Sequence, residues 1–373
     1  MSNMSNSNQP LHGIRVLDFS TLLPGPLATL MLVEAGACVV KIEAPGKGDG
    51  ARANTPLEGD ESLHFAQLNR GKKSVVLDLK SPGGKAAARR LAGEADVLVE
   101  QFRPGVMQRL GLHYEAVRAI NPRLIYCCIT GYGQTGPLAR TPGHDVNYLA
   151  RAGMLALGKG EDGHPVMPAA AVADIGGGTL PAVLNILLAL LRRHQTGQGC
   201  QLDIAMTENT LAWMPRALGA ANLGQPMPLA SEGRHVGERP RYGIYITADG
   251  KALAVAALEP HFWTRFCELI GLGEEERDDG TDPHKVRAAV AATIARHDCA
   301  WWMERFKGED VCVDVVGDMA GALQDPHFLA RGVWDRKLQL HNGTTVAALP
   351  LPVAREFGDG QLRGYPSLGS HAA

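Results

Sequence analysis

Apolar runs alternate with polar breaks along the first 130 residues, and their lengths predict alternating strands and helices. Residues 14–19 read as a first strand, broken by Leu23-Pro24-Gly25-Pro26, and a helix follows over 27–34 until Gly36 stops it. Further strands are predicted at 38–42, 74–79, 96–100 and 124–129, with helices at 82–91, 104–110 and 114–120 between them. The strands are short and nearly continuous in apolar residues, as expected where both faces of a sheet are covered. Strand, helix and strand within about thirty residues make a βαβ unit. The expected fold class is therefore α/β: an open, Rossmann-like, largely parallel sheet, with ligands beyond the carboxyl ends of its strands. The first turn lacks G-x-G-x-x-G, so no nicotinamide site is assigned.

The polar, glycine-rich stretch 46–71 reads as a long surface loop. After a long apolar helix from about 175 to 191, a strand is predicted at 201–204 and a helix at 206–218. Then the pattern changes. Residues 242–246 and 252–256 alternate around Thr247-Ala248-Asp249-Gly250, a hairpin signal, and helices and one more strand follow. The expected organisation is a disordered tail over 1–10, a large α/β domain over 11–221, a linker over 222–240, a small α+β domain over 241–331, and a return segment over 332–373.

Composition narrows the class. The chain has 373 residues, 45% hydrophobic and 20% charged, which suits a globular enzyme of more than one domain. A net charge of -2 gives no global attraction for nucleic acid. The seven cysteines form no C-x-x-C pair, and no metal-ligand spacing, P-loop or G-x-S-x-G occurs. The start is polar rather than signal-like, and the apolar stretch 180–191, interrupted by Pro181 and Asn185, is too short to span a bilayer. The expectation is a cytoplasmic protein with no membrane or nucleic-acid partner, no metal and no resident cofactor.

Candidate chemistry concentrates between Gly143 and Gly178. His144 has the pKa range of a general base near neutrality, although a solvated loop histidine has the same signature. Asp174 precedes the long helix, where an N-cap is the structural alternative. Gly176-Gly177-Gly178 sit where glycine is unfavourable by about 1 kcal/mol each. Close approach of a ligand would explain them, with backbone N–H groups facing an enolate oxygen. Glu259, before Pro260, is either a helix cap or a carboxylate that orients His144. Basic residues Arg70, Lys72, Lys73, Lys80, Arg103 and Arg109 fall near predicted strand ends, where a nucleotide's phosphates would lie.

Several stretches together resemble the family III CoA-transferase superfamily over nearly the whole chain. They are Leu22-Leu23-Pro24-Gly25-Pro26, the run from Gly71 to Lys80, Phe102-Arg103-Pro104-Gly105-Val106-Met107, Asn121 to Tyr126 and Gly131 to Pro137. Gly143-His144-Asp145-Val146-Asn147-Tyr148, Ala173 to Gly178 and Glu259-Pro260-His261-Phe262 resemble its α-methylacyl-CoA racemase branch, with Val146 where isoleucine is usual. The resemblance implies His144 and Asp174 as an acid/base pair, with Glu259 supporting His144. It implies that Leu77, Asp78, Leu79, Lys80, Arg103, Arg109, Gly143, Asp145, Val146, Asn147 and Tyr148 contact coenzyme A, which enters as part of an acyl-CoA substrate. It implies an interlocked homodimer. Other features resemble transferases instead: Ala44 where racemases carry arginine, the length of 46–71, and the ending Pro366 to His371. In transferases the residue matching Asp174 is a nucleophile.

Overall fold

The computed structural model describes residues 9–160, 163–226 and 239–373. Residues 1–8 of the expected tail and 227–238 of the expected linker lie outside the described residues. The chain forms two compact units. The first holds the described residues up to Ala152 together with Pro168–Trp213 and Leu329–Ala373; the second holds Gly153–Met167 and Met214–Phe328, less the undescribed positions. The expected boundaries differ from this division at 153–167 and 214–221, which group with the second unit, and at 329–331, which group with the first.

The first unit is built on six strands: β1 (Arg15–Asp18), β2 (Cys38–Glu43), β3 (Lys73–Val76), β4 (Val97–Glu100), β5 (Ile125–Thr130) and β6 (Cys200–Ala205). Their order is β3-β2-β1-β4-β5-β6, every pair is parallel, and so the sheet is doubly wound. The expected parallel sheet is present. The central strands β4 and β5 are buried along their whole length, which accounts for their uninterrupted apolar sequence. The first helix, Pro24–Glu34, starts earlier than expected, because both prolines fit its first turn; all its residues are buried, so no polar face marks its phase.

Residues 46–71 are not a surface loop. They hold a short 3-10 turn (Gly50–Ala53), a two-stranded hairpin (Leu57–Glu58 with Glu61–Ser62) and a helix, Leu63–Asn69, capped by the Ser62 hydroxyl accepting from the Phe65 N–H. Phe65 and Ala66 pack with Leu338, Leu340, Ala348 and Tyr365 from the C-terminal stretch. The polar composition hid a small core whose other half lies almost three hundred residues later in sequence.

The longest helical run also exceeds its sequence reading. A π-helical turn, Ala173–Thr179, continues without a break into an α-helix, Leu180–Thr196. Together they make one helical run of 24 residues whose most apolar 18-residue stretch has a mean hydropathy of 1.6, enough by length and composition to cross a membrane, unlike the stretch 180–191 taken alone. Ala182, Ile186 and Ala189 of this helix are buried, while Leu184, Leu187, Leu188 and Leu191 are exposed.

A buried ionic network ties the carboxyl end of β1 to β2 and to Lys72, the residue just before β3. The Lys72 ammonium lies 3.3 Å from Asp18 Oδ2 and donates to Pro26 O and Asn69 Oδ1 at 2.9 Å each. The Lys41 ammonium bonds Ser20 O at 2.7 Å and Asp49 Oδ2 at 2.8 Å. Burial works against the Asp18 carboxylate, but Lys72, Lys41 and the hydroxyls of Ser20 and Thr29 outweigh it and hold Asp18 below the ordinary range. The network fixes the segment from Ser20 to Pro26, which carries Leu22 and Pro24.

The second unit folds around an antiparallel sheet: β7 (Tyr242–Ile246), β8 (Ala252–Ala256) and β9 (Val313–Val315), with β8 central. The hairpin falls where the sequence puts it, with Gly250 at φ 76 in its turn. Trp263, Phe266, Trp302 and Phe306 fill the core beneath the sheet.

Replacing Asp18 by asparagine leaves the Lys72 ammonium buried without its counter-charge. Urea denaturation should show a loss of about 3–5 kcal/mol; a loss below about 1 kcal/mol would contradict the pairing described here.

Candidate active site

The doubly wound order reverses between β1 and β4, and in such sheets the crevice at that reversal receives the ligand. A cavity of about 410 Å³ opens there. Leu22 and Pro24 come to it from the end of β1, Gln101 to Pro104 from the end of β4, and Ile129 to Tyr132 from β5. The wall is held tightly. Gly25 donates its N–H to Gln101 Oε1 at 3.0 Å, and a Cβ on Gly25 would lie 2.2 Å from Ser20 Cβ. Leu22 is the one non-glycine residue in the left-handed region among the described residues, at φ 64. That backbone conformation costs energy and sits on the cavity wall.

His144 and Asp174 both line this cavity. His144 is not in a loop interior; it flanks the start of a helix, Asp145–Ala152. Asn147 Oδ1 accepts the His144 N–H at 3.0 Å, and Asn147 N donates to His144 O at 2.8 Å, so Asn147 closes that helix end. The imidazole itself is exposed to the cavity. Tyr148 packs edge-on against Tyr132, with ring centroids 5.3 Å apart, and donates its hydroxyl to Gly143 O. A Cβ on Gly131 or Gly143 would stand 2.3 Å or 2.7 Å from the Tyr148 ring. Those two glycines let the ring pin the segment that presents His144.

Asp174 is not an N-cap. It lies in the first turn of the π-helix, and its own N–H donates to Asp145 Oδ1 at 2.9 Å. Burial, then the Asp145 carboxylate, push the Asp174 carboxyl up to about 6, with His144 opposing them. A group balanced so near neutrality can give or take a proton at working pH.

The three glycines have a packing cause of their own. All three are buried, and their close neighbours are protein. A Cβ on Gly177 would lie 2.3 Å from Met206 O, one on Gly176 would lie 2.4 Å from the Trp213 ring, and one on Gly178 would lie 3.2 Å from Pro24 Cβ. Asn209 Nδ2 donates to Gly177 O at 2.8 Å. The π-helix therefore presses directly on the helix Met206–Leu211, and this contact sets where Asp174 stands.

The other expected residues divide. Arg103, Gly143, Asn147 and Tyr148 line the cavity with His144 and Asp174. Asp145 turns to the Asp174 amide, and Val146 is exposed on the same helix. Leu77 is buried in the core, and Asp78 caps its own turn by accepting from the Lys80 N–H at 3.0 Å. Lys80 and Arg109 are exposed and lie outside the cavity lining. Arg70 and Lys72, read as phosphate ligands, are instead buried, with Arg70 3.8 Å from Glu34 and Lys72 beside Asp18. Glu259 belongs to the second unit, where it precedes the helix Pro260–Ile270 and shares a cavity with Arg239, Arg241 and Asp279. Gln101 and Tyr132 line this cavity as well; both lie inside or beside recognised motifs. Met206, a methionine whose flexible thioether suits an adaptable acyl surface, lines it too.

Sequence comparison decides the family. The profile of CoA-transferase family III matches residues 11–372. The chain belongs to this family. An acetyl-CoA:oxalate CoA-transferase from Acetobacter aceti is 33% identical, covering 98% of this chain and 94% of the relative. A human alpha-methylacyl-CoA racemase is 37% identical over 86% of this chain and 81% of the relative. The crystal structure of a CAIB/BAIF family protein from Brucella suis superposes with a TM-score of 0.83 at 29% identity, covering 98% of this chain and 97% of that one. Family III thus has members of both chemistries at similar distance from this chain.

Two predictions follow from the geometry. Gly177→Ala should cost about 1–3 kcal/mol, because the added methyl must displace the Met206 backbone; unchanged thermal stability would contradict the packing. Asp174 has a folded pKa raised above its unfolded value, so its contribution is full below about pH 4 and is lost as pH rises through about 6. Asp174→Asn should therefore be more stable than the parent at pH 8, by about 1–2 kcal/mol after solvent screening, and not at pH 3. Denaturation curves at the two pH values check the sign.

Proposed function

We propose that the protein inverts the α-carbon of 2-methylacyl-CoA or related α-branched thioesters by proton transfer through an enolate. The observation that carries this reading is the placing of His144 and Asp174, two groups able to exchange protons, on the wall of one cavity at the switch point of the sheet. A thioester acidifies its α-hydrogen. One group takes that proton from one face, breaking the C–H bond and leaving the electron pair delocalised onto the thioester oxygen. The other returns a proton to the opposite face. An Asp174 carboxyl balanced near 6 suits either half of the exchange. Arg103 and the helix opening at Asp145 are taken to hold coenzyme A. Glu259 stays in the reading as support for protonated His144, and the working form as a homodimer.

A second reading is favoured by one observation: the transferase relative matches over 98% of this chain, more than the racemase relative does. In that chemistry the Asp174 carboxylate attacks the thioester carbonyl, a C–O bond forms, the C–S bond breaks and coenzyme A leaves as thiolate. Deuterium oxide separates the two. Incubated with a 2-methylacyl-CoA and no acceptor acid, the protein should incorporate deuterium at the α-carbon and interconvert the enantiomers. Replacing His144 by alanine should lower interconversion by about 10²–10⁴-fold. No wash-in, together with transfer of coenzyme A to an added carboxylic acid, would overturn the racemase reading in favour of the transferase.

A further inference from the structure

A second, smaller cavity of about 230 Å³ lies against the first and shares two of its lining residues, Arg103 and Pro104. Its lining is polar, with Glu100, Cys128, Gln134 and Gln201 on it and two atoms, His113 Nδ1 and Gln134 Nε2, buried without a hydrogen-bond partner. Glu100 is the last residue of β4 and only 3% exposed. Its Oε2 accepts the Phe102 N–H at 2.8 Å, which folds the strand end into the turn that carries Phe102 and Arg103 to the catalytic cavity. Gln101, between them, holds Gly25 on the facing wall.

The titratable and charged groups around Glu100 come from every neighbouring element. Tyr126 and Cys128 face it from β5, with the Cys128 thiol hydrogen-bonded to it. Asp203 stands on β6, where it accepts the Gln134 N–H at 2.9 Å. His113 and Tyr114 close the far side, and Arg103 is the cation in the lining. Burial first, then Asp203, raise the Glu100 carboxyl to about 7, against the bonds from Phe102 and Cys128. A buried carboxyl in such company changes charge near neutrality.

We propose that Glu100 is a positioning residue for the cavity that holds His144 and Asp174: in either form it holds the Phe102–Arg103 turn by accepting the Phe102 N–H, protonated it leaves Arg103 free for an anionic ligand, and ionised it draws Arg103 into the smaller cavity. The inference rests on the reading that coenzyme A binds beside Arg103. It makes binding proton-linked through a residue that does not touch the reacting atoms.

The test is calorimetric titration of the full-length protein and its Glu100→Gln variant with coenzyme A at about pH 6 and pH 8.5. Glutamine has the same shape, can accept the Phe102 N–H and cannot ionise. Wild-type affinity should fall about 5-fold more across that range than the variant's, and at the higher pH the variant should bind about 5-fold tighter. Both proteins carry Asp174 and His144 and meet the same ligand, so only the difference between them reports Glu100. Glu100→Ala, which leaves the Phe102 N–H without its partner, should bind more weakly at both pH values. Parallel pH courses for wild type and Glu100→Gln would overturn the role of Glu100 while leaving the functional reading intact. No binding of coenzyme A by the wild type at either pH would instead overturn the functional reading on which it rests.

Discussion

The position of Asp174 on the cavity wall depends on one close contact, the bare backbone of Gly177 against the carbonyl of Met206. Helices that carry side chains at their interface stay about 8–10 Å apart. Here a Cβ has no room, since it would come within 2.3 Å of Met206 O. The helical run can approach this closely only because three successive residues lack side chains. Glycine costs helix stability, and the segment that pays it adopts the wider π-helical winding, a form often found at functional sites. The result is a carboxylate held at a fixed height on the cavity wall, with its amide tied to Asp145.

The remaining architecture delivers other groups to the same place by independent means. The sheet reversal leaves a crevice between β1 and β4. The Asp18–Lys72–Lys41 network stiffens the loop after β1, and the Tyr148 ring, seated in gaps left by Gly131 and Gly143, stiffens the segment holding His144. Positioning is a large part of what an enzyme contributes to proton transfer at carbon. His144 and Asp174 thus have separate rigid supports, so a change in one support need not move the other.

Much of the fold was legible in the sequence, and the limits have physical causes. Strands buried on both faces leave unbroken apolar runs, and the Asp249-Gly250 turn leaves a local mark, so β1 to β5 and the β7–β8 hairpin were found within a residue or three. The core around Phe65 was missed because its apolar partners, Leu338 and Tyr365, are distant in sequence while its own stretch is polar. The glycine triplet was recognised as needing a close neighbour, but that neighbour is Met206 and Trp213 rather than a ligand, a fact set by tertiary packing. Arg70 and Lys72 looked like surface cations because no local pattern shows that Glu34 and Asp18 await them inside. For the site, His144 and Asp174 stand in recognisable motifs, whereas the sharing of one cavity lining by Glu100 and Arg103 is visible only in the folded sheet.

The central claim is that His144 and Asp174 serve opposite faces of one substrate carbon. The most direct measurement is α-hydrogen exchange in deuterium oxide with each pure enantiomer, in the separate variants His144→Ala and Asp174→Asn. The account predicts that each variant exchanges one enantiomer without inverting it, and that the two variants retain opposite enantiomers. Loss of exchange for both enantiomers in Asp174→Asn, with full exchange of both in His144→Ala, would contradict it.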